Sequence, residues 1–325
     1  MKAAQITGFG APDVIRIAET ARPAPGPGEV LVAVEGSSVN GHDVLVRSGR
    51  VKVVSGRTFP IGVGLDFAGV VVRTGPGVED HRVGDRVWGT VHPRRRHTLA
   101  GAAEYVVVPA DRIAPAPATL SGVEAASLVV GGSTALIALT DIIGLTSRER
   151  VLVRGAAGGV GTAAVQLAHS MGAFVTALAA DGHATALSEL GAGLVLDRSA
   201  TTPEHIGPFD VIIDTVGTQL PRYRSRLARG GRMATVVLSG PALRAITFSS
   251  VHRSRRIRTF SADPRSALLR DLTAHVSAGA LRPVIHHVYP LADVATAQNA
   301  FERGGVLGKH VIRIAGKAGK QSCAF

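Results

Sequence analysis

The chain has one cysteine, Cys323, near its end. A lone thiol excludes an internal disulfide and a cysteine-rich zinc site. Aromatic side chains make up only 4% of the residues, so a large core has to be assembled from Ala, Val, Leu and Ile. Lysine is nearly missing: 5 Lys stand against 31 Arg in a chain of net charge +12. The arginines are dispersed, and the densest groups, Arg94-Arg95-Arg96 and Arg253 with Arg255 and Arg256, have no interleaved aromatics. No nucleic-acid partner is therefore expected. The start carries no apolar run long enough for a signal peptide, and no later run is expected to span a membrane. The expectation by default is a soluble, cytoplasmic protein without a membrane partner. At 325 residues, 46% of them hydrophobic, two domains are expected.

What is present divides near residue 121. Before it, short β-rich runs alternate with Gly and Pro: Val30–Val34 after Pro23–Gly28, Gly69–Arg73 before Thr74–Gly77, then Gly84–Gly89 and Glu104–Val108. That rhythm predicts a barrel-like all-β unit. After it, strands alternate with helices. Arg150–Arg154 is followed by a helix face at Val160, Ala164, Leu167, Ala168 and Met171, then by a strand Phe174–Leu178 and a helix Ala184–Leu190. Phe209–Asp214 and Arg232–Val237 are further strands, with a helical segment Leu220–Ala228 between them. Such alternation predicts a doubly wound parallel sheet. From about residue 265 a helix Ala267–Ser277, a β segment His286–Tyr289, a helix Leu291–Glu302 and a strand Lys309–Ile314 are expected to rejoin the first unit.

Gly155-Ala-Ala157-Gly158-Gly159-Val160-Gly161 lies between strand and helix, where a dinucleotide loop belongs. Gly158 would let backbone approach a pyrophosphate, Gly161 would let the helix pack closely on the sheet, and the helix start would bind phosphate. At the end of the second strand the first acid is Asp181, just past the position that binds the 2′-hydroxyl of NAD. His183 and Arg198 stand nearby and favour the 2′-phosphate of NADP. Val216, Gly217, Leu238 and Ser239 fall beyond carboxyl ends of strands and are expected along the cofactor.

These features, with Pro25–Val32, Ser38-Val-Asn40-Gly-His-Asp43, Val83–Val87, Phe209–Gly217, Gly230-Gly231-Arg232 and Gly308-Lys309-His310-Val311, make the chain resemble a medium-chain dehydrogenase/reductase over residues 1 to 314. Within that superfamily it is most similar to the zinc-free quinone oxidoreductases. The resemblance implies an α/β fold: a GroES-like β-rich catalytic domain (1–120 and 264–325) around a Rossmann doubly wound parallel-sheet domain (121–263). It also implies a cleft between the two and a homodimer or homotetramer. Zinc relatives carry a cysteine at the position of Asn40 and a histidine at that of Leu65, so the zinc ligand set is expected to be missing. Histidines 92, 97, 252, 286 and 287 are scattered and are read as loop or surface residues.

The expected activity is transfer of hydride from NADPH to a small electrophilic acceptor, a quinone or an α,β-unsaturated carbonyl, catalysed largely by proximity. A pathway-specific enoyl reductase and an NADPH-binding sensor without turnover are the alternatives. Asn40 is the catalytic candidate, its amide donating to a developing oxyanion, with a turn or supporting role as the alternative. Asp43 is expected to hold backbone or Arg47. The resemblance places Thr134 near the nicotinamide, the alternative being a helix N-terminal threonine. It lays Gly308 and Lys309 over the cofactor, the alternative for Lys309 being solvent exposure. Arg50 and Val51 stand where such reductases often have a tyrosine, and the loop His92–Thr98 is long, which points to an unusual or anionic acceptor.

Overall fold

The computed structural model describes residues 1–52, 58–91, 99–237, 240–250 and 256–314. The loop His92–Thr98, Leu238, Ser239, His252, Arg253, Arg255 and Cys323 lie outside them.

Strands that run apolar without alternation belong in a sheet covered on both faces. Val151, Leu152 and Val153 are all fully buried, and their strand, Arg150–Arg154, occupies the middle of a six-stranded parallel sheet. The order across it is Leu194–Asp197, Phe174–Ala179, Arg150–Arg154, Phe209–Asp214, Leu227–Thr235, Ile257–Thr259. The chain builds outward from Arg150–Arg154 in one direction, returns, and builds outward in the other. Loops leaving Arg150–Arg154 and Phe209–Asp214 therefore diverge and open a crevice at the carboxyl ends. One expectation changes: the helix Leu220–Arg224 stops early, and the fifth strand starts at Leu227 rather than Arg232. Leu227 is buried and pairs with Phe209, and the register slips before Val211 meets Arg232. The Gly230-Gly231 pair sits inside the strand.

The β-rich unit holds a seven-stranded, mainly antiparallel sheet around Glu29–Ser38 and a three-stranded sheet led by Lys2–Ile6. Its core is built of Val30, Val32, Val34, Phe67, Val71, Val87 and Val106, in keeping with the shortage of aromatics. Lys309–Arg313 pairs antiparallel with Glu29–Ser38 and parallel with Ile285–Pro290, so the late segment does join the first sheet.

A helix, Gly122–Ile137, lies between the two sheets. Ser121 and Glu124 cap it reciprocally: Ser121 N–H donates to Glu124 Oε2 at 2.8 Å, and Glu124 N–H donates to Ser121 Oγ at 3.3 Å. With its continuation to Ile143 it is long and apolar enough to cross a membrane, but most of that stretch is buried inside the protein. A methyl group on Gly131 would collide with the Gly159 carbonyl, and one on Gly132 with Leu272. The paired glycines thus serve close packing within the helix.

Candidate active site between the two sheets

The glycine loop begins at the end of Arg150–Arg154 and feeds the helix Gly159–Ser170. Gly155 has φ +71°, a conformation that favours glycine, and Thr215 Oγ1 lies where its Cβ would be. A Cβ on Gly161 would strike the Gly155 carbonyl, so the close helix–strand approach expected there is present. Gly158 differs. It is exposed, its backbone is extended, and an added Cβ would meet only the Gly155 oxygen, at 3.5 Å. Nothing inside the protein requires glycine there, which fits a position that backbone leaves open to an outside group. The first N–H groups of the helix have no intrahelical acceptor and carry the positive end of its dipole.

Ala157, Val160, Val216 and Gly217 border this loop. Val216 is 43% exposed although apolar, and its side chain is near Gly155. Gly217, at φ +78°, donates its N–H to Asp214 Oδ2 at 2.8 Å. Asp214 also accepts from Thr235 Oγ1 at 2.8 Å and forms a buried ion pair with Arg154, whose guanidinium donates to the Thr218 carbonyl and stacks 3.6 Å over the Tyr223 ring. This pair sets the turn that carries Val216 and Gly217, and sequence reading missed it.

His183 and Arg198 follow neighbouring strands at the same end of the sheet. Arg198 is exposed, and its N–H donates to the Ala179 carbonyl at 2.8 Å. His183 Nε2 lies 3.3 Å from the Gly305 carbonyl. Asp181, also exposed, accepts from the N–H of Gly182.

From the other unit, Gly308 closes over the loop: it bridges Gly158, and its N–H donates to the Ala157 carbonyl at 2.7 Å. Lys309 is buried rather than exposed to solvent. Its stem occupies the space where a Gly159 side chain would be, and its ammonium donates to the Val39 carbonyl at 2.7 Å and to Asn40 Oδ1 at 2.6 Å. Asn40 Nδ2 in turn donates to Asp66 Oδ2 at 3.0 Å and the Ser38 carbonyl at 3.1 Å. Asp66 is fully buried and also accepts from the Ser38 N–H and hydroxyl, each at 2.6 Å. Burial pushes its carboxyl up from the ordinary range, against Lys309, Ser38 and Asn40, which pull it down. Burial pushes the Lys309 ammonium down, against Asp66 and Asp43, which hold it up. Asp43 holds backbone, accepting from the Asn40 N–H at 3.1 Å, while Arg47 donates to Gln298 and Glu302.

The expected donation from Asn40 to an oxyanion meets a different arrangement. An amide NH2 has two hydrogens, and both are engaged, on Asp66 and Ser38. In this geometry Asn40 couples Lys309 to Asp66. The sequence assigns no role to Asp66 or to Ser38, although Ser38 opens the Ser38–Asp43 stretch. The nearest signal for Asp66 is its place beside Leu65, in the Gly64-Leu65-Asp66 stretch.

Thr134 sits deep in the helix Gly122–Ile137, not at its N-terminus. It lines a small cavity between the units together with Leu65, Thr90, Val91, Val130, Ser133 and the segment Ala262–Pro264. Arg112, buried, holds that segment through Asp263 at 2.8 Å. Among the described residues no group of three or more His, Cys, Asp or Glu is placed to share a metal ion.

Comparison with known proteins sets this geometry in a family. The alcohol dehydrogenase GroES-like domain model matches residues 26–118, and the zinc-binding dehydrogenase model matches residues 190–312. The structure of the quinone oxidoreductase from Coxiella burnetii is similar at a TM-score of 0.88 and 30% identity, over 96% of this chain and 99% of that one. The chain belongs to the medium-chain dehydrogenase/reductase superfamily, in its quinone-oxidoreductase-like family. Two curated relatives are the human NAD(P)H oxidoreductase RTN4IP1, mitochondrial, 36% identical over 59% of this chain and 52% of that protein, and the Solanum lycopersicum 2-methylene-furan-3-one reductase, 34% identical over 74% and 62%. The chain thus spans about half the length of the human relative. The superfamily's pairing of a GroES-like unit with a Rossmann-like parallel sheet is the architecture described above.

Proposed function

We propose that the protein is a zinc-independent, NADPH-dependent oxidoreductase that passes hydride to a quinone or an α,β-unsaturated carbonyl. The observation that carries this reading is the Lys309–Asn40–Asp66 chain. It ties the position of a zinc ligand in related dehydrogenases to the lip of the glycine loop, and Leu65 at the second such position offers no donor atom. Bound NADPH would supply the hydride. Gly158, Gly159, Val160 and the helix start would receive its pyrophosphate, with His183 and Arg198 toward the 2′-phosphate. Ala157, Gly161, Val216, Gly217, Gly308 and Lys309 would wall the cofactor, and Thr134 would stand near its reactive end. Leu238 and Ser239 belong to the same reading. An acceptor that is already electrophilic needs placement and a dry cleft more than a Lewis acid.

The reading keeps the division at residues 121 and 264, a homodimer or homotetramer, and a cytoplasmic location; the human relative carries the word mitochondrial in its name. A dedicated enone reductase is the narrower version, favoured by the methylene furanone in the tomato relative's name.

The test is the initial rate of NADPH and NADH oxidation with 1,4-benzoquinone and 2-cyclohexenone in the presence of a chelator. Turnover that survives chelation and prefers NADPH is expected. Activity that vanishes with the metal and returns with zinc would overturn the reading.

A further inference from the structure

The seven-stranded sheet has two outer strands, and they are finished differently. At one end Ile113–Pro115 is short and is closed off by the helix Ser266–Ser277. The Ser266 hydroxyl donates to the Ile113 carbonyl at 2.5 Å, and the Thr273 hydroxyl donates to the Pro115 carbonyl at 2.9 Å. At the other end Ile285–Pro290 pairs with Lys309–Arg313 alone, and no group among the described residues bonds to its outer side. An open edge of this kind presents N–H and C=O groups to any extended chain, and proteins usually blunt it with lysine, proline or a bulge. Here the register slips at His286 and Pro290 ends the strand, but His287, Val288 and Tyr289 between them remain regular. The surroundings are basic. Arg282 precedes the strand, Arg313 lies in register with Pro290, and the charged groups that weigh on buried His310 are His286, His287, Lys309 and Arg303. Arg282, Arg303 and Arg313 are exposed, and their guanidinium groups have no hydrogen-bond partner among the described residues. The next helix offers Asp293 at its start and Glu302, which is already paired with Arg47.

We infer that the outer edge of Ile285–Pro290 is a docking surface for a short, acidic, extended segment of a partner protein, which adds to the sheet as a further strand. The inference stands apart from the reductase reading and does not depend on it. Backbone hydrogen bonds along the edge would hold the segment. The three arginines would select an acidic one, since complementary charge at the rim of an interface decides which partner is admitted. Two other occupants fit less well. A second copy of this chain, pairing edge to edge, would set these arginines against their own counterparts, and like charges facing across strands are destabilising. A nucleic acid would satisfy the arginines but leave the row of strand carbonyls unmatched, because phosphate oxygens cannot donate to them. An extended acidic peptide meets both demands, with N–H groups for the carbonyls and carboxylates for the guanidinium groups.

The experiment titrates the full chain into a fluorescein-labelled peptide of alternating valine and glutamate, as long as the strand, and follows fluorescence anisotropy. A second peptide of the same sequence is N-methylated throughout, which removes its donors and keeps its charge. Saturable binding of the first peptide is expected. The methylated peptide should bind about tenfold more weakly or worse, the loss of one or two backbone hydrogen bonds. Arg282→Glu and Arg303→Glu should each weaken the first peptide several-fold and together about tenfold, with an unchanged thermal unfolding midpoint showing that the variants are folded. Amide hydrogen exchange of wild type with the peptide bound gives a reading that needs no variant. New protection is expected in Ile285–Pro290 and not at Leu194–Asp197 or Ile257–Thr259, the outer strands of the parallel sheet. Absence of saturable binding would overturn the inference, as would protection at another edge. Equal binding of the methylated peptide, or its displacement by single-stranded oligouridylate at equal charge, would reduce the surface to a patch of positive charge and overturn strand pairing.

Discussion

Two of the buried charge clusters among the described residues, one in each sheet, are built differently. In the parallel sheet, Arg154 and Asp214 touch directly, at the ends of adjacent strands, with Tyr223 stacked on the guanidinium. In the antiparallel sheet, Lys309 and Asp66 are held apart by the Asn40 amide, which accepts from one and donates to the other. In the direct pair the cation is a guanidinium, which does not lose its proton in a protein. A lysine and an aspartate separated by a neutral link, both in low dielectric, have protonation states that are open to change. The first arrangement is suited to holding a turn, and the second to a site where charge develops.

Removing one partner from each should show the contrast. Asp214→Ala leaves Arg154 buried and charged and should lower unfolding stability by about 3–5 kcal/mol, to the same extent at pH 6 and pH 8, as read by urea titration. Lys309→Met should cost about 3 kcal/mol at pH 8 but less at pH 5. The Asp66 carboxyl, already raised by burial, would rise further without the ammonium. A raised carboxyl contributes stability at low pH that is lost as pH climbs through its folded value. Equal losses at both pH values for Lys309→Met would remove the distinction between the two clusters.

A smaller effect sits next to Lys309. His310 is buried, with neither ring nitrogen bonded, and lies 5.2 Å from the His286 ring centroid. Burial, with His286, Lys309 and His287 around it, depresses its pKa to about 4. The unfolded chain takes up that proton near pH 6.5. Stability is therefore full above 6.5 and declines as pH falls toward 4. Thermal unfolding of His310→Leu across this range should show a flatter acid limb; an unchanged limb would assign it to other groups. The smallest effect concerns Arg198. Replacing it with Ala should raise the KM for NADPH about tenfold, the loss of one charge-assisted phosphate contact, and leave that for NADH unaltered. A parallel rise in both would remove Arg198 from the 2′-phosphate.

The two regions also differed in how far they could be read from the chain. The strand, loop and helix from Arg150 to Ser170 are contiguous, and glycine spacing together with helical periodicity marks them out. Their positions needed little correction. The charge clusters are another matter: Arg154 meets Asp214 60 residues away, and Lys309 meets Asn40 269 residues away. No local pattern encodes such a meeting, so Asp66 was given no role and Lys309 was left between cofactor and solvent. Asn40 was singled out in the sequence, but its bonding to Lys309 and Asp66 depends on neighbours that only the fold supplies. Gly131 and Gly132 carry no local signal either, yet they permit one helix to lie against Gly159 and Leu272.

The long separation between Lys309 and its partners has a consequence for synthesis. Asn40 and Asp66 leave the ribosome early, while the ammonium that completes their network arrives only with one of the last strands. At ordinary translation speeds the gap is on the order of ten seconds or more. Through that interval the first sheet lacks both its Lys309–Arg313 strand and the cation meant for Asp66, and the Gly36–Ser38 end of its central strand lacks one neighbour. The first sheet's buried network is therefore completed only once residue 309 has been made.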